Sequence, residues 1–445
     1  MEEIRLVLLG FGSANRALAQ MLLDKSEKDV DSSSCRKCLR VTAPSSCTSK
    51  LVPWKVVSII TRRHGSVCVP CSLASEINVE DALERVGAGG ILDDTLVRNN
   101  TIDTSIDTNT TAAAETTATT ATTTEETIKM LNDMGKTQTA NIVVEAIPSN
   151  PKSDGEPAIS FIRTALQAGM HVASANKCPL AHKRNNKETY FELQEIAKRN
   201  GKLYLHESAV MDGVPIFSLW NNTLPSVTCT KIRGLLNSTT TMILSRIEGN
   251  IDKVVESNGQ VEHDCETFEE ALEAAKQMGI VEEDESLDID GWDAAMKLRA
   301  LCVFLSSSAK LSSPEGFDVN IPPLEAIPRD SIGQIDQELI CREFRTSRKK
   351  VRSVASAESF DLPSDPANGR HHPVKTWKLS VKNEFLSPSD PLYNLNGTSA
   401  SVQFSTDVMG PISVVSSDPT LTDTAYGLFA DVVRIHSVAS QSLNI

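Results

Sequence analysis

The sequence lacks an excess of basic residues, a long apolar run and a positively charged signal segment. Its 44 Lys and Arg residues are outnumbered by 58 Asp and Glu residues, and the net charge of −14 argues against a nucleic-acid partner. No apolar run reaches the length of a membrane-spanning helix. Residues 1–10 have no basic region of the kind that begins a secretory or transit signal, so we expect a cytoplasmic protein without a membrane partner. A chain of 445 residues, 40% of them hydrophobic, suffices for two or three domains.

The ten cysteines are scattered along the chain and are explained as free thiols in a reducing compartment. Cys35 and Cys38, together with Cys68 and Cys71, could instead supply four thiolates to zinc, with Cys47 lying between the pairs. The gap between the two pairs is longer than in compact zinc ribbons, so the pattern favours free thiols.

A short, largely apolar strand at Ile4–Leu9 leads directly into a glycine turn and then a helical pattern. Gly10 permits the tight turn, Gly12 lets the backbone approach a ligand, and the helix N-terminus faces the phosphates of a dinucleotide. Asn15 occupies the third glycine position of this fingerprint. The alternative is an ordinary strand-turn-helix unit without a ligand. The candidate cofactor-binding residues of this turn are Gly10, Gly12, Ser13, Ala14 and Asn15.

A second strand is predicted at residues 55–60, and Arg62 and Arg63 follow it. An acidic residue at such a position would bind the ribose 2′-hydroxyl of NAD, whereas arginines suit the 2′-phosphate of NADP. We therefore favour NADP; the alternative is a solvated basic turn.

Two further strands are predicted at residues 141–147 and at His171–Ser174, with helices after them. Repeated strand-helix units of this kind predict an α/β fold with a doubly wound parallel sheet. Asn176 and Lys177 follow the strand at His171–Ser174. Because ligands of such sheets bind beyond the carboxyl ends of the strands, both are candidate site residues.

Two segments are predicted to be insertions, and the second of them, at residues 99–127, is expected to carry no chemistry. Residues 28–52 are rich in Ser and Cys, and residues 99–127 are dominated by Thr, Ala, Asn and Glu. The second has too few large apolar residues to contribute to a core and is expected to be disordered.

A nearly apolar helix is predicted at residues 292–305, and its charged residues are Asp293, Lys297 and Arg299. Asp293 and Lys297 are four residues apart and share a face, while Arg299 points roughly the opposite way. A lysine beside a carboxylate in a buried helix is either a structural ion pair or a proton-transferring group in a pocket. Residues 282–285 are acidic and precede this helix; such a cluster often only stabilises the helix dipole.

Taken together, the motifs resemble homoserine dehydrogenase. Several segments match in the same order, over nearly the whole chain apart from residues 28–52, 99–127 and 346–374. The matching segments are the glycine turn, 154–157 (Asp-Gly-Glu-Pro), 175–179 (Ala-Asn-Lys-Cys-Pro), 207–215, 236–240 (Leu-Asn-Ser-Thr-Thr), 279–284, 290–297, 391–392, 397–398 and 424–427.

The resemblance implies a Rossmann-type dinucleotide-binding domain at residues 1–206, an α+β substrate and dimerisation domain at 207–409, and a C-terminal segment at 410–445 that returns to the first domain. It implies a homodimer that interconverts L-homoserine and L-aspartate-4-semialdehyde with NADP or NAD, in threonine and methionine biosynthesis. Desolvated lysines suit this chemistry, since burial lowers their pKa and hydride transfer from an alcohol requires proton removal.

The resemblance also assigns roles to individual residues. It implies that Lys177 and Lys297 are the catalytic lysines and that Glu282 binds the substrate ammonium, with Asp288 and Asp293 in the same pocket. The loop residues Glu207, Val210, Asp212 and Val214 resemble the family's sodium site.

Three glycine positions of the family hold larger residues here, namely Asn15, Met211 and Ser238. Each adds a side chain where backbone approaches a ligand or ion. These changes motivate two alternatives: a catalytically weak, nucleotide-binding regulatory protein, and a dehydrogenase of another small amino acid.

Overall fold

The structure is a computed structural model. It describes residues 1–28, 37–42, 49–69, 75–99, 122–184, 187–249, 254–257, 260–263, 265–281, 284–312, 318–364 and 373–441. Within these ranges the chain forms two compact units. Unit 1 comprises Met1–Pro179, Phe191–Gly213 and Leu421–Ile445, and unit 2 comprises Leu180–Tyr190 and Val214–Thr420.

The strands are β1 (Ile4–Leu9), β2 (Ser26–Lys28), β3 (Lys37–Thr42), β4 (Ser49–Ile60), β5 (Ser66–Cys68), β6 (Ser75–Ile77), β7 (Val97–Asn99), β8 (Ile142–Glu145), β9 (His171–Ser174), β10 (Lys183–Arg184), β11 (Lys187–Glu188), β12 (Tyr204–Leu205), β13 (Cys229–Leu235), β14 (Val254–Ser257), β15 (Gln260–His263), β16 (Asp318–Asn320), β17 (Lys350–Leu362), β18 (Val374–Leu386), β19 (Ala400–Thr406) and β20 (Ile412–Ser416).

The helices are α1 (Ser13–Asp24), α2 (Val79–Gly87), α3 (Thr124–Thr137), α4 (Ala158–Gln167), α5 (Cys178–Ala181), α6 (Thr189–Arg199), α7 (Ile216–Thr223), α8 (Ser238–Glu248), α9 (Phe268–Gln277), α10 (Ser286–Ile289), α11 (Trp292–Ser312), α12 (Gln337–Ser347) and α13 (Leu421–Gln441). No helix in the described ranges has the combination of length and apolar character needed to cross a membrane.

Unit 1 is built on a sheet in the order β12-β9-β8-β1-β4-β3-β2. The strands from β12 to β4 are parallel, which confirms the predicted parallel sheet. β1 and β8 are almost entirely buried, as expected for strands covered on both faces.

The Ser/Cys-rich segment at 28–52 is only partly an insertion. Lys37–Thr42 and Ser49–Ile60 pair antiparallel and extend the sheet past its parallel part. The predicted second strand begins at residue 55, after the predicted insertion, but pairing with β3 extends it to Ser49. Residues 29–36 and 43–48, including Cys35 and Cys47, lie outside the described residues, as does Cys71.

The predicted C-terminal boundary of the Thr-rich insertion, residue 127, is wrong because helix α3 begins before it. Thr123 caps helix α3 by accepting a hydrogen bond from the backbone of Glu126, and the Glu126 side chain accepts one from the backbone of Thr123. Residues 122–127 are therefore a helix start, whereas 100–121 lie outside the described residues.

Helix α13 completes unit 1 although it comes more than 200 residues after the other segments. It packs against α1 and against the short 3-10 turn at Glu207–Ala209. Its buried residues recur every three or four positions, which gives one apolar face to the unit: Ala425, Leu428, Val432 and Ile435.

Unit 2 is built on a sheet in the order β16-β18-β17-β13-β19-β20. β16 is parallel to β18, and the remaining pairs are antiparallel. Helices α8 and α11 pack against this sheet, as the predicted α+β domain requires. The segment at 346–374, outside the resemblance, contains β17, which pairs with β18 from Lys350 to Leu362.

Candidate active site

The glycine turn of unit 1 has the geometry that a dinucleotide needs. Gly10 has a φ of +79°, and a Cβ atom there would lie 2.8 Å from the carbonyl oxygen of Ala146, so only glycine fits. A Cβ at Gly12 would meet nothing within 4 Å, which leaves open space before the helix. Helix α1 begins at Ser13, followed by Ala14, without a side-chain cap or an acidic residue in its first turn. Its N-terminal N–H groups therefore suit a phosphate.

Asn15 stabilises this turn instead of disturbing it. The side chain is fully buried, and its Nδ2 atom donates to the carbonyl oxygens of Gly10 at 2.7 Å and Leu9 at 3.1 Å. The family's third glycine position is thus filled by an amide that ties the end of β1 to the first turn of α1. This contact depends on the fold and has no signal in the sequence.

Arg62 and Arg63 lie in the turn that follows β4, the strand next to β1 in the sheet. The turn is fixed because Thr61 donates to the carbonyl oxygen of Gly65 from both its backbone and its side chain, at 3.1 and 2.8 Å. Both arginine side chains are exposed. This is the position at which the sequence predicts a contact with the 2′-phosphate of NADP.

Asn176 and Lys177 leave the carboxyl end of β9, as predicted. Asn176 is buried, and its Oδ1 atom accepts a hydrogen bond from the backbone of Cys178 at 3.0 Å. Lys177 is half-buried. Burial raises the pKa of the Cys178 thiol to about 11 although Lys177 opposes the shift, so Cys178 is not a thiolate at neutral pH.

The loop predicted to resemble a sodium site has an unusual backbone. Met211, Asp212 and Gly213 are consecutive left-handed residues, with φ values of +57°, +54° and +86°. Thr424 Oγ1 donates to Asp212 Oδ1 at 3.3 Å, and a Cβ at Gly213 would collide with the backbone of α13.

Of the remaining predicted metal-site residues, Glu207 and Val210 are buried in unit 1, and Val214 begins the second segment of unit 2. No group of three or more His, Cys, Asp or Glu residues suited to a metal occurs among the described residues.

A buried polar cluster of unit 2 surrounds the start of α11. Lys297 Nζ lies 2.9 Å from Asp293 Oδ2 and donates to the carbonyl oxygen of Leu236 at 2.9 Å. Asp288 and Asp293 are 2% and 4% exposed. The structure thus brings together three of the four site residues predicted for this unit's chemistry. The fourth, Glu282, lies outside the described residues.

Asn237 links the two carboxylates, and the sequence did not identify it as a site residue. Its Nδ2 atom donates to Asp288 Oδ1 at 2.7 Å and to Asp293 Oδ2 at 3.0 Å. Its Oδ1 atom caps helix α8 by accepting from the backbone of Thr240 at 2.8 Å. Ser238 is the first residue of α8, so the side chain at this family glycine position begins an ordinary helix. The usable signal was an Asn directly before a helix.

Comparison with known proteins gives a consistent result. The family model for homoserine dehydrogenase matches residues 215–433. The NAD(+)-dependent homoserine dehydrogenase of Pseudomonas canavaninivorans is 26% identical over 443 residues, which is 99% of this chain and 98% of the relative.

Two solved structures share the fold. A hyperthermophilic archaeal homoserine dehydrogenase in complex with NADPH has a TM-score of 0.60 and 21% identity, over 98% of each chain. Homoserine dehydrogenase from Thermoplasma acidophilum has a TM-score of 0.61 and 18% identity, over 98% of this chain and 99% of that one.

The parallel sheet, the glycine turn and the buried lysine define an oxidoreductase that uses a nicotinamide dinucleotide. The family match over residues 215–433 and the similar relatives support the homoserine dehydrogenase family, in agreement with the resemblance seen in the motifs.

Proposed function

We propose that this protein interconverts L-homoserine and L-aspartate-4-semialdehyde by hydride transfer with NADP. The observation that carries the proposal is the environment of Lys297. An ammonium group has three N–H donors, and two of them are used by Asp293 and the carbonyl oxygen of Leu236. Within the described part of the chain the third has no protein partner, so it can donate to the reacting oxygen of a substrate.

Lys297 has a distinct role in each direction of the reaction. In aldehyde reduction its ammonium polarises the carbonyl oxygen and supplies the proton that the new hydroxyl needs; in alcohol oxidation the neutral amine accepts that proton. NADP, when bound, accepts or returns the hydride. Asp293 and Leu236 keep Nζ in place through both directions. We propose Lys177 as the second catalytic lysine.

The acidic residues suit the ammonium group of an amino-acid substrate. Asn237 donates to both Asp288 and Asp293 and so holds the two buried carboxylates side by side. We propose that these carboxylates and Glu282 bind the substrate ammonium.

The preference for NADP is supported by Arg62 and Arg63 beyond β4. Arginine binds phosphate through paired charge-assisted hydrogen bonds. The named relatives differ on this point, since the Pseudomonas enzyme is NAD(+)-dependent and the archaeal structure holds NADPH.

Further properties of the family extend the proposal. Backbone oxygens of Glu207, Val210, Asp212 and Val214 would hold a monovalent cation, sodium in particular. The left-handed run through Met211 and Asp212 supports a specialised loop at this place. We also propose a cytoplasmic homodimer, with domains at residues 1–206 and 207–409 and a C-terminal segment at 410–445.

A steady-state assay of the purified protein tests the function. L-Homoserine and L-aspartate-4-semialdehyde are each tried with NADP and NAD cofactors, and turnover of both substrates, faster with the NADP pair, is expected. Tight NADPH binding without turnover would instead support the regulatory protein considered from the sequence. Turnover of only a different small amino acid would support the third alternative.

A further inference from the structure

A buried carboxyl group lies at the same sheet edge as the predicted cofactor residues. Glu145 ends β8, the strand between β1 and β9, and has no exposed surface. Carboxyl ends of parallel strands are where ligands of this fold bind, so a polar group here is placed for function as well as structure.

Three donors surround this carboxyl group. Ser174 Oγ donates to Oε2 at 2.5 Å, and the backbone of Ile147 donates to Oε1 at 3.0 Å. The amide of Asn176 is farther away, at 3.4 Å from Oε1. The influences on this carboxyl group are its burial and the three hydrogen bonds. Burial therefore raises the pKa of Glu145 in spite of the three donors.

The hydrogen-bond network around Glu145 extends to the residues on both sides of Lys177. The backbone of Asn176 donates to Ser174 Oγ at 3.0 Å. Asn176 Oδ1 accepts from the backbone of Cys178 at 3.0 Å and from Ser149 Oγ at 3.1 Å. Lys177 is therefore bracketed by two backbone groups, of residues 176 and 178, that are fixed within one network.

We infer that Glu145 is a positioning residue, which acts through Ser174 and Asn176 to fix the direction in which Lys177 leaves strand β9. The inference rests on the proposed function, in which Lys177 touches the reacting oxygen. A misplacement of about 1 Å in a reacting group can cost about 10²-fold in rate, so a support of this kind has a kinetic effect far larger than its effect on binding.

Two substitutions of Glu145 distinguish a positioning role of this side chain from an effect of its charge. Glu145→Ala removes the acceptor from Ser174 and Ile147, whereas Glu145→Gln keeps an oxygen for Ile147 and Asn176 and can donate to Ser174 Oγ. Glu192→Gln is the matched control in the same unit, because Glu192 pairs with Arg163 at the surface. Ser174→Ala removes one donor of the network and replaces Glu145→Ala if that variant does not fold.

The expected result for Glu145→Ala is a fall in kcat of about 10- to 100-fold with the NADPH dissociation constant within about twofold of the parent. Glu145→Gln should recover kcat to within about threefold, and Glu192→Gln should match the parent. A kcat of Glu145→Ala equal to that of the parent would overturn the inference. So would a Gln variant as slow as the Ala variant, since charge and not position would then be decisive.

A second readout does not depend on turnover. The rate at which an amine-acylating reagent modifies Lys177 in the NADPH-bound protein is followed by mass spectrometry, with the exposed Lys136 as internal reference. Glu145→Ala should change the Lys177 rate at least about threefold and Glu145→Gln should not. If the parent does not oxidise homoserine, the proposed function fails, and equal Lys177 rates in parent and Ala variant would separately overturn the positioning role.

Discussion

Lys297 lies one helical turn after Asp293 on helix α11, and the two side chains meet at 2.9 Å. Both are largely buried, with 17% and 5% of the side-chain surface exposed. A pair in this setting is stabilising only if its remaining donors and acceptors are satisfied, and Leu236 and Asn237 supply such partners.

Replacing the lysine tests its catalytic role. Lys297→Ala should reduce turnover of homoserine by about 10²- to 10⁴-fold, the range for loss of a general acid-base group. The NADPH dissociation constant should stay nearly unchanged, because the predicted cofactor contacts are in unit 1. Lys382→Ala, which breaks an exposed pair with Asp330 in unit 2, is the control. Parent-like turnover of Lys297→Ala would refute the assignment.

Asn237 can be tested by an isosteric change. Asn237→Asp keeps the oxygen that caps α8 but replaces the amide donor with a second oxygen facing Asp288 and Asp293. We expect a loss of about 3 kcal/mol in the free energy of unfolding, measured by urea titration at pH 7, because three carboxylates then lack a shared donor. The loss should shrink at lower pH, where a protonated carboxyl can donate. A variant as stable as the parent across this range would contradict the account.

Cofactor choice should depend on the two arginines beyond β4. The double variant Arg62→Ala with Arg63→Ala should weaken NADPH binding by about 10- to 100-fold, since a charge-assisted hydrogen bond contributes about 1.5–3 kcal/mol. NADH binding should change by less than about twofold. Fluorescence titration measures both affinities, and Arg98→Ala, which breaks an exposed pair with Asp81, controls for charge. If NADPH and NADH binding were weakened equally, these arginines would not recognise the 2′-phosphate.

His171 should make stability depend on pH. Burial lowers the pKa of its imidazole from 6.5 to about 4, and its Nδ1 atom accepts a hydrogen bond from the backbone of Leu203 at 3.1 Å. The unfolded chain therefore binds the proton first. The contribution of the neutral imidazole is fully present above pH 6.5 and is lost as the pH falls towards about 4.

The size of this loss in unfolding free energy follows from the pKa shift of His171. It reaches about 3 kcal/mol near pH 4, at 1.36 kcal/mol per pKa unit. His171→Gln keeps an acceptor for Leu203 and does not titrate. The difference in unfolding free energy between parent and variant should therefore change with pH between about 4 and 6.5 and be constant above it. A constant difference throughout would mean that His171 titrates normally in the folded protein.

The sequence predicted those features that depend on local pattern. Buried apolar strands alternate with helices, so the parallel part of the sheet could be predicted, and an i, i+4 spacing placed Lys297 beside Asp293. β3 was missed because its pairing with β4 is decided by tertiary contact and not by its polar surroundings. Asn15 and Asn237 were undervalued for the same reason, since their amides bond groups that come together only in the folded chain.

Unit 1 is assembled from segments that are far apart in the sequence, and this affects when it can fold during synthesis. Helix α13 covers α1 and the turn at Glu207–Ala209, yet the ribosome reaches it only after the whole of unit 2 has been synthesised. Until then α1 has an uncovered apolar face. Unit 1 thus cannot complete its fold before α13 has been synthesised.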